Sequence, residues 1–311
     1  MATTTNSAMI IHDTLAQTSY FEALQDVLDV FNAGSNGALI IRSEVMPGDF
    51  NKDAFYTIPD GMGHRDVNNT GDATAKAIGA DELIGVKTPW LYGPYETTEE
   101  AFKRRARSPE EFSELMGAHM AQSMIDYAIQ AAFASVDAAI ESNAAAMSVA
   151  ASFATDHKKV VTKGLRTFGD RFGRISLLGM DSATYFDMVD DAIGEKVYEE
   201  AGNVIYGGMP GTLGKPVLVT DKAPANKIFA LQPGAAEIVE SQAPGLRSYD
   251  INGKTNLMLG YQAEGAFNVN LLGYKYGGTA NPNLATLGAS ASWTKVAASN
   301  KMTAGARIVL S

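Results

Sequence analysis

Cysteine is absent from the 311 residues. That excludes a disulfide framework, a thiolate nucleophile and cysteine-ligated zinc, and it fits a protein made and used in a reducing cytoplasm. Histidine is scarce. The 4 present, His12, His64, His119 and His157, are scattered without HExxH or other ligand spacing, so no metal site is expected. Long apolar runs are missing too: no stretch approaches the roughly 18–20 residues a membrane-spanning helix needs. The opening "MATTTNSAMIIHDTLAQ" has no basic n-region, and its apolar run is too short for a signal peptide. A soluble, cytoplasmic product with no membrane partner is expected. Positive charge is the minority, with 25 Lys and Arg against 35 Asp and Glu and a net charge of −10. This balance argues against a tight, specific grip on nucleic acid, which needs clustered cations. It leaves room for DNA nearby.

Catalytic signatures are equally thin. In "YGGMPGTLGKP" the Walker spacing fails, because Met209 stands where the first glycine is needed and Pro216 follows Lys215 in place of Ser or Thr. No G-x-G-x-x-G follows a strand, and there is no G-x-S-x-G elbow. The carboxylate pairs Asp190/Asp191 and Glu199/Glu200 are sequence neighbours, and on a helix such neighbours point apart. No catalytic residue, cofactor or metal is expected. The basic cluster is "AFKRRARS", with Lys103, Arg104, Arg105 and Arg107. It is short and lacks stacking aromatics. It reads either as a solvated stretch or as an ion-pair site toward acidic loops of another subunit.

What is present is patterned. A length of 311 residues suits one elaborate domain or two subdomains. Residues 1–18 are rich in Thr, Asn and Ser and read as an arm with little structure of its own. Tyr20, Leu24, Val27, Leu28 and Phe31 then keep helical spacing up to "NAGSNG", a C-cap and loop signal. Residues 38–94 hold strand-like runs ("ALIIRSEVM", "AFYTIPD", "DELIGVKTPWLYGPY") around the loop-like "DGMGHRDVNNTGDATAKAIGA". So few apolar residues over that length cannot bury a core. The segment reads as a floppy insertion or active-site lid, or as a long β-hairpin arm stabilised by a neighbouring subunit.

A helix over about 108–142 is signalled by Ser108 as N-cap, Pro109 at the first helical position and Glu111 completing a capping box. At ~1.5 Å per residue it is a rod of roughly 50 Å. Phe112, Met116, Met120, Met124 and Tyr127 share one face. Ile125, Ile129, Phe133, Val136 and Ile140 lie on nearly the opposite one, with Asp126, Asp137 and Glu141 opposing this second stripe. A helix that changes its apolar face must pack against different partners at its two ends. After a small-residue connection, residues 165–240 read as a separate α/β unit: a short helix in "GLRTFGDRFGR", a strand in "ISLLGM", a helix capped by Asp181 or Ser182, and strands in "KPVLVTD" and "KIFALQP". The remainder is β-rich with glycine-based turns.

The stretch "ISLLGMDSATYFDMVDDA" followed by "GTLGKPVLVTDKAP", and the ending "AEGAFNVNLLGYKYGG" through "GARIVLS", carry a resemblance. In this order of parts the chain resembles the major capsid proteins of tailed bacteriophages, with the Hong Kong 97-type fold. The resemblance implies an α+β fold comprising an N-terminal arm (1–37), an extended β-hairpin loop (38–94) and a peripheral β-sheet domain with the spine helix (95–164). An axial α/β domain (165–254) and a return to peripheral strands (255–311) complete it. It further implies a virion subunit that self-assembles into pentamers and hexamers of an icosahedral shell around double-stranded DNA. Phe55, Tyr56, Ile58, Trp90 and Tyr92 would then be buried between chains. No charged helical region precedes the arm, so a separate scaffolding protein is implied, with a portal and room for a decoration protein. The same fold would serve an encapsulin-type compartment shell. An enzyme using residues 38–94 as a lid is the third reading.

Overall fold

The computed structural model describes residues 6–58, 62–65, 67–72, 74–98, 100–101, 109–157, 159–194, 198–200, 203–205 and 212–311. The longer helices are α1 (Asn6–Gly34), α2 (Pro109–Ser142), α3 (Lys159–Arg166) and α4 (Ser182–Gly194). The strands before α4 are β1 (Leu39–Ser43), β2 (Phe50–Thr57), β3 (Gly79–Thr98), β4 (Ser148–Ala151) and β5 (Leu177–Met180). Then come the small pair β6 (Tyr198–Glu200) and β7 (Asn203–Ile205), followed by β8 (Val217–Val219), β9 (Lys227–Leu231), β10 (Ala236–Ile251) and β11 (Met258–Leu271). The chain closes with β12 (Tyr274–Tyr276), β13 (Trp293–Lys295) and β14 (Gly305–Leu310).

Two five-stranded sheets hold the fold, in the orders β1-β10-β11-β3-β2 and β4-β14-β9-β5-β8. Across the first sheet, Ile41, Ile238, Val269, Val86 and Phe50 stand in one row on the face that α1 and α2 cover. Period-two alternation turns Glu237, Asn270 and Lys87 to the other face. Across the second sheet, the row Arg307–Phe229–Gly179 faces α2, while Ile308, Ile228 and Met180 face the opposite way, toward α3. One hydrophobic cluster runs from Ala16 and Tyr20 through α2 to Phe229 and Ile308.

Helix α2 begins at Pro109 as the sequence leads one to expect, and its two stripes meet different sheets. Phe112 packs on Tyr261 and Tyr127 on Phe267, with ring centroids 5.3 and 5.7 Å apart, both on β11. Phe133 lies on Phe229 at 5.5 Å and over Gly179, where a Cβ would stand 2.7 Å from its ring. Gly117 is not an interruption. It is where α1 crosses, since a Cβ there would collide with the Ala16 carbonyl. Ser19 Oγ donates to the Glu114 carbonyl at 2.9 Å beside the crossing.

Several expectations are corrected. Residues 6–18 are helical, because Ala16 and Tyr20 bury against α2 and extend α1 forward of Ser19. Strand β1 lies outside the hairpin and pairs in parallel with β10, so the antiparallel hairpin is β2 with β3, from Phe50↔Val86 to Thr57↔Gly79. The helix placed in "GLRTFGDRFGR" begins earlier, at Lys159, and a 3-10 turn follows at Gly169–Arg174. The expected boundary near 254 also fails: β10, inside 165–254, belongs to the first sheet, and β14, inside 255–311, belongs to the second. Finally, Asp137 and Glu141, expected to oppose the second stripe, both bond to Arg307. Asp137 is half-buried, since Ala131, Ala132, Phe133, Val136, Ala138, Ala139 and Ile140 are all at most 2% exposed and leave that end of α2 little solvent face, while Glu141 stays exposed.

Candidate functional site

The hairpin and its base are the surfaces singled out by sequence. Phe55 is half-buried opposite Asp81, while Tyr56 and Ile58 are 78% and 73% exposed. Beyond them Met62, Val67 and Ile78 are also exposed large apolar side chains. Near the loop end of the paired strands, Lys275 of β12 bonds Asp81 at 3.1 Å, and the Glu82 backbone amide together with this lysine holds the Asp81 carboxyl below its ordinary range. Trp90 is half-buried with its ring over Gly265, where a Cβ would come within 2.5 Å of it.

Tyr92 behaves differently from its expected partners. Only 7% exposed, it pairs its hydroxyl with His119 Nδ1 at 2.7 Å and stacks near Tyr95, so it is used within its own chain. Burial, with Tyr95 beside it, pushes its phenol up to about 12. Trp90, Tyr92, Tyr95, Met124 and Tyr127 line a groove of about 510 Å³ between β3 and α2, rimmed by exposed Leu91. Lys103, Arg104, Arg105 and Arg107, like the N-cap Ser108, lie outside the described residues.

A buried polar pair escaped the sequence reading. Glu240 sits in the inner-face row Ser43–Glu240–Phe267–Thr88, 3% exposed, and accepts from the wholly buried Tyr20 hydroxyl at 2.8 Å. Among the described residues no cation pairs with it. Burial therefore raises its carboxyl above the ordinary value, partly offset by hydrogen bonds from Tyr20 and Ser43. Burial and the adjacent carboxylate raise the Tyr20 phenol in turn. A carboxyl raised in the native state binds its proton more tightly there than in the unfolded chain. Its contribution is then complete below the unfolded value and is lost as pH rises through the folded one. Glu240→Gln keeps an acceptor for Tyr20 and removes the charge. The variant should melt above the wild type at pH 7, with the gap closing toward pH 4 in thermal scans; a gap independent of pH would refute this account.

Among the described residues no group of three or more His, Cys, Asp or Glu side chains could hold a metal, and no helix is long and apolar enough to cross a membrane. What these surfaces offer chemically is apolar contact and ion pairing. No curated protein matches the chain in sequence. Solved structures do match in shape. A chain from Mycobacterium phage Cain superposes with a TM-score of 0.55 at 13% identity, covering 89% of this chain and 90% of that one. One from Mycobacterium phage Bobi gives 0.54 at 13% identity over 87% and 88%. The asymmetric unit of the bacteriophage PhiM1 mature capsid gives 0.52 at 10% identity over 88% and 86%. At these identities the likeness shows the fold, the Hong Kong 97-type fold of tailed-phage capsids. The model of one family, described as major capsid protein 13-like, matches residues 8–307, nearly the whole sequence, and the chain therefore belongs to the major capsid protein 13-like family.

Proposed function

We propose that this capsid subunit assembles as pentamers and hexamers into a closed icosahedral shell around double-stranded DNA, with the β2–β3 hairpin laid over a neighbouring copy. The observation that carries this reading is the hairpin tip. Tyr56, Ile58, Met62, Val67 and Ile78 are each exposed, along a stretch between Ile41 and Val86 in which no described apolar side chain is buried. An apolar surface of that kind marks a contact with another chain. Phe55 and Trp90, half-buried, join it at the margin, whereas Tyr92 stays within its subunit. In this reading the first sheet with α2 and the hairpin is the peripheral domain, and the second sheet is the axial one. The role is structural and without catalysis. Lys103, Arg104, Arg105 and Arg107 form ion pairs with acidic loops of another copy. A separate scaffolding protein, a portal and a decoration protein are the further partners, and assembly takes place in the host cytoplasm.

The test is expression of the full chain, alone and with the product of a neighbouring scaffold-like gene, followed by sedimentation and electron microscopy. Rings and closed shells are expected. A chain that stays a small monomer or dimer in both settings overturns the reading.

A further inference from the structure

The second sheet is oppositely charged at its two ends. Strands β5, β8 and β14 run one way and β9 the other, so the starts of β5 and β8 mark one end and their finishes the other. At the starting end lie the Gly169–Arg174 turn, with Arg171 and Arg174 exposed, and Lys215, whose Nζ donates to the Ile175 carbonyl. Among the described residues, neither Arg171 nor Arg174 meets a carboxylate in an ion pair, and the one acid of the turn, Asp170, is taken by Lys301. This end also holds a recess of about 620 Å³, lined by Arg174, Ser176, Lys215 and Gln232. At the finishing end lies α4, which has no Lys or Arg and carries Asp187 and Asp190 exposed. Among the described lysines of that end, Lys163 is engaged with Asp156, Lys222 with Asp126 and Lys227 with Asp137, while Lys159 stands exposed near Asp156 at the start of α3. Phe186, 62% exposed, stands beside Asp187.

We infer that these ends are the two halves of one head-to-tail contact between copies of this chain. Phe186 of one copy enters the recess beside Arg174 and Lys215 of the next, and Asp187 and Asp190 face Arg171 and Arg174. A contact between two different patches of identical chains is heterologous and closes a ring when its rotation closes. Exposed ion pairs add little binding energy, but they set which faces meet and in which register. The buried phenyl ring supplies the affinity. The inference rests on the reading that copies of the chain associate, and it deepens it by naming the faces.

The test uses the full chain with two charge reversals, Arg171→Glu/Arg174→Glu and Asp187→Lys/Asp190→Lys. All four residues are exposed, so unchanged circular dichroism is expected. Each reversal alone abolishes rings and shells in sedimentation and electron microscopy. The fourfold variant restores them, and an equimolar mixture of the two reversed chains forms six-membered rings in alternation where neither does alone, but no closed shells, because a five-membered ring cannot alternate two kinds of chain. Phe186→Ala, with charges intact, loses assembly at protein concentrations where the wild type is complete. Reversed chains that assemble like the wild type overturn the inference and leave the shell reading standing, even if they have lost affinity for DNA. A wild-type chain that never associates overturns both.

Discussion

A chain whose residues 58–78 are replaced by Asn-Gly folds normally and forms no closed particles. Thr57 and Gly79 are directly paired across the hairpin, so a two-residue type I′ turn can join them without disturbing the register. The excision removes Ile58, Met62, Val67 and Ile78, all exposed and therefore contributing little to the stability of the subunit. Burying a large aliphatic side chain is worth about 1.5–3 kcal/mol. Losing even two of them from each inter-subunit contact weakens it by roughly a hundredfold or more. A shell repeats the loss at every contact. The melting midpoint should match the wild type while particles vanish from electron micrographs; particles of normal size and yield would sink the inter-subunit role of the hairpin. A wider deletion over 45–90 cannot make this test. It removes β2 and the stretch of β3 that carries the fully buried Val86 and Thr88, stripping β11 of a partner. That variant is expected to be insoluble.

The long helix was legible because its signals are local: Pro109 at the start, no breaker that bends it, and two stripes that require two partners. Its crossing with α1 was not legible, because a close approach at Gly117 depends on small atoms and leaves no apolar period in the Thr- and Ser-rich start of the chain. Strand pairing over long separations was equally hidden. Periodicity marked β1 and β14 as strands, but nothing in "LIIRS" names β10 as its parallel partner, and nothing in "GARIVL" names β9. The same holds for the surfaces. The apolar residues of the hairpin were visible as a segment too poor to bury itself. Arg171 and Arg174 share one turn, but Lys215 lies far along the chain from them, and only the sheet brings all three to one end. The buried Glu240 was invisible for a related reason: its carboxyl sits in an otherwise alternating strand, and its donor, Tyr20, comes from a helix far away in sequence.

Asp137→Ala is expected to be the most damaging single substitution in the joint between α2 and the second sheet. Lys227 Nζ donates to one carboxylate oxygen at 2.6 Å and Arg307 Nη1 to the other at 2.7 Å, while Arg307 Nη2 reaches Glu141. The Arg307 side chain is 8% exposed and Asp137 19%, so neither charge is well solvated. Removing the carboxylate takes from the Lys227 ammonium the acid it is paired with and from the buried guanidinium one of its two. Breaking a buried pair from one side costs about 3–5 kcal/mol. Glu141 still holds Arg307, which places the expected loss near 3 kcal/mol. At roughly 2–4 °C per kcal/mol for chains of this order, the melting midpoint falls by about 6–12 °C. Glu141→Ala is the control. Its carboxylate is 49% exposed and its loss should cost less than about 1 kcal/mol. Replacing both members, Asp137→Leu with Arg307→Met, removes the charges together and should cost less than Asp137→Ala alone, because no ion is left buried without a partner. Urea unfolding of the three variants separates the outcomes. If Asp137→Ala is no worse than Glu141→Ala, the joint is held by the packing of Phe133 on Phe229 and Gly179, and the ion network is incidental to it.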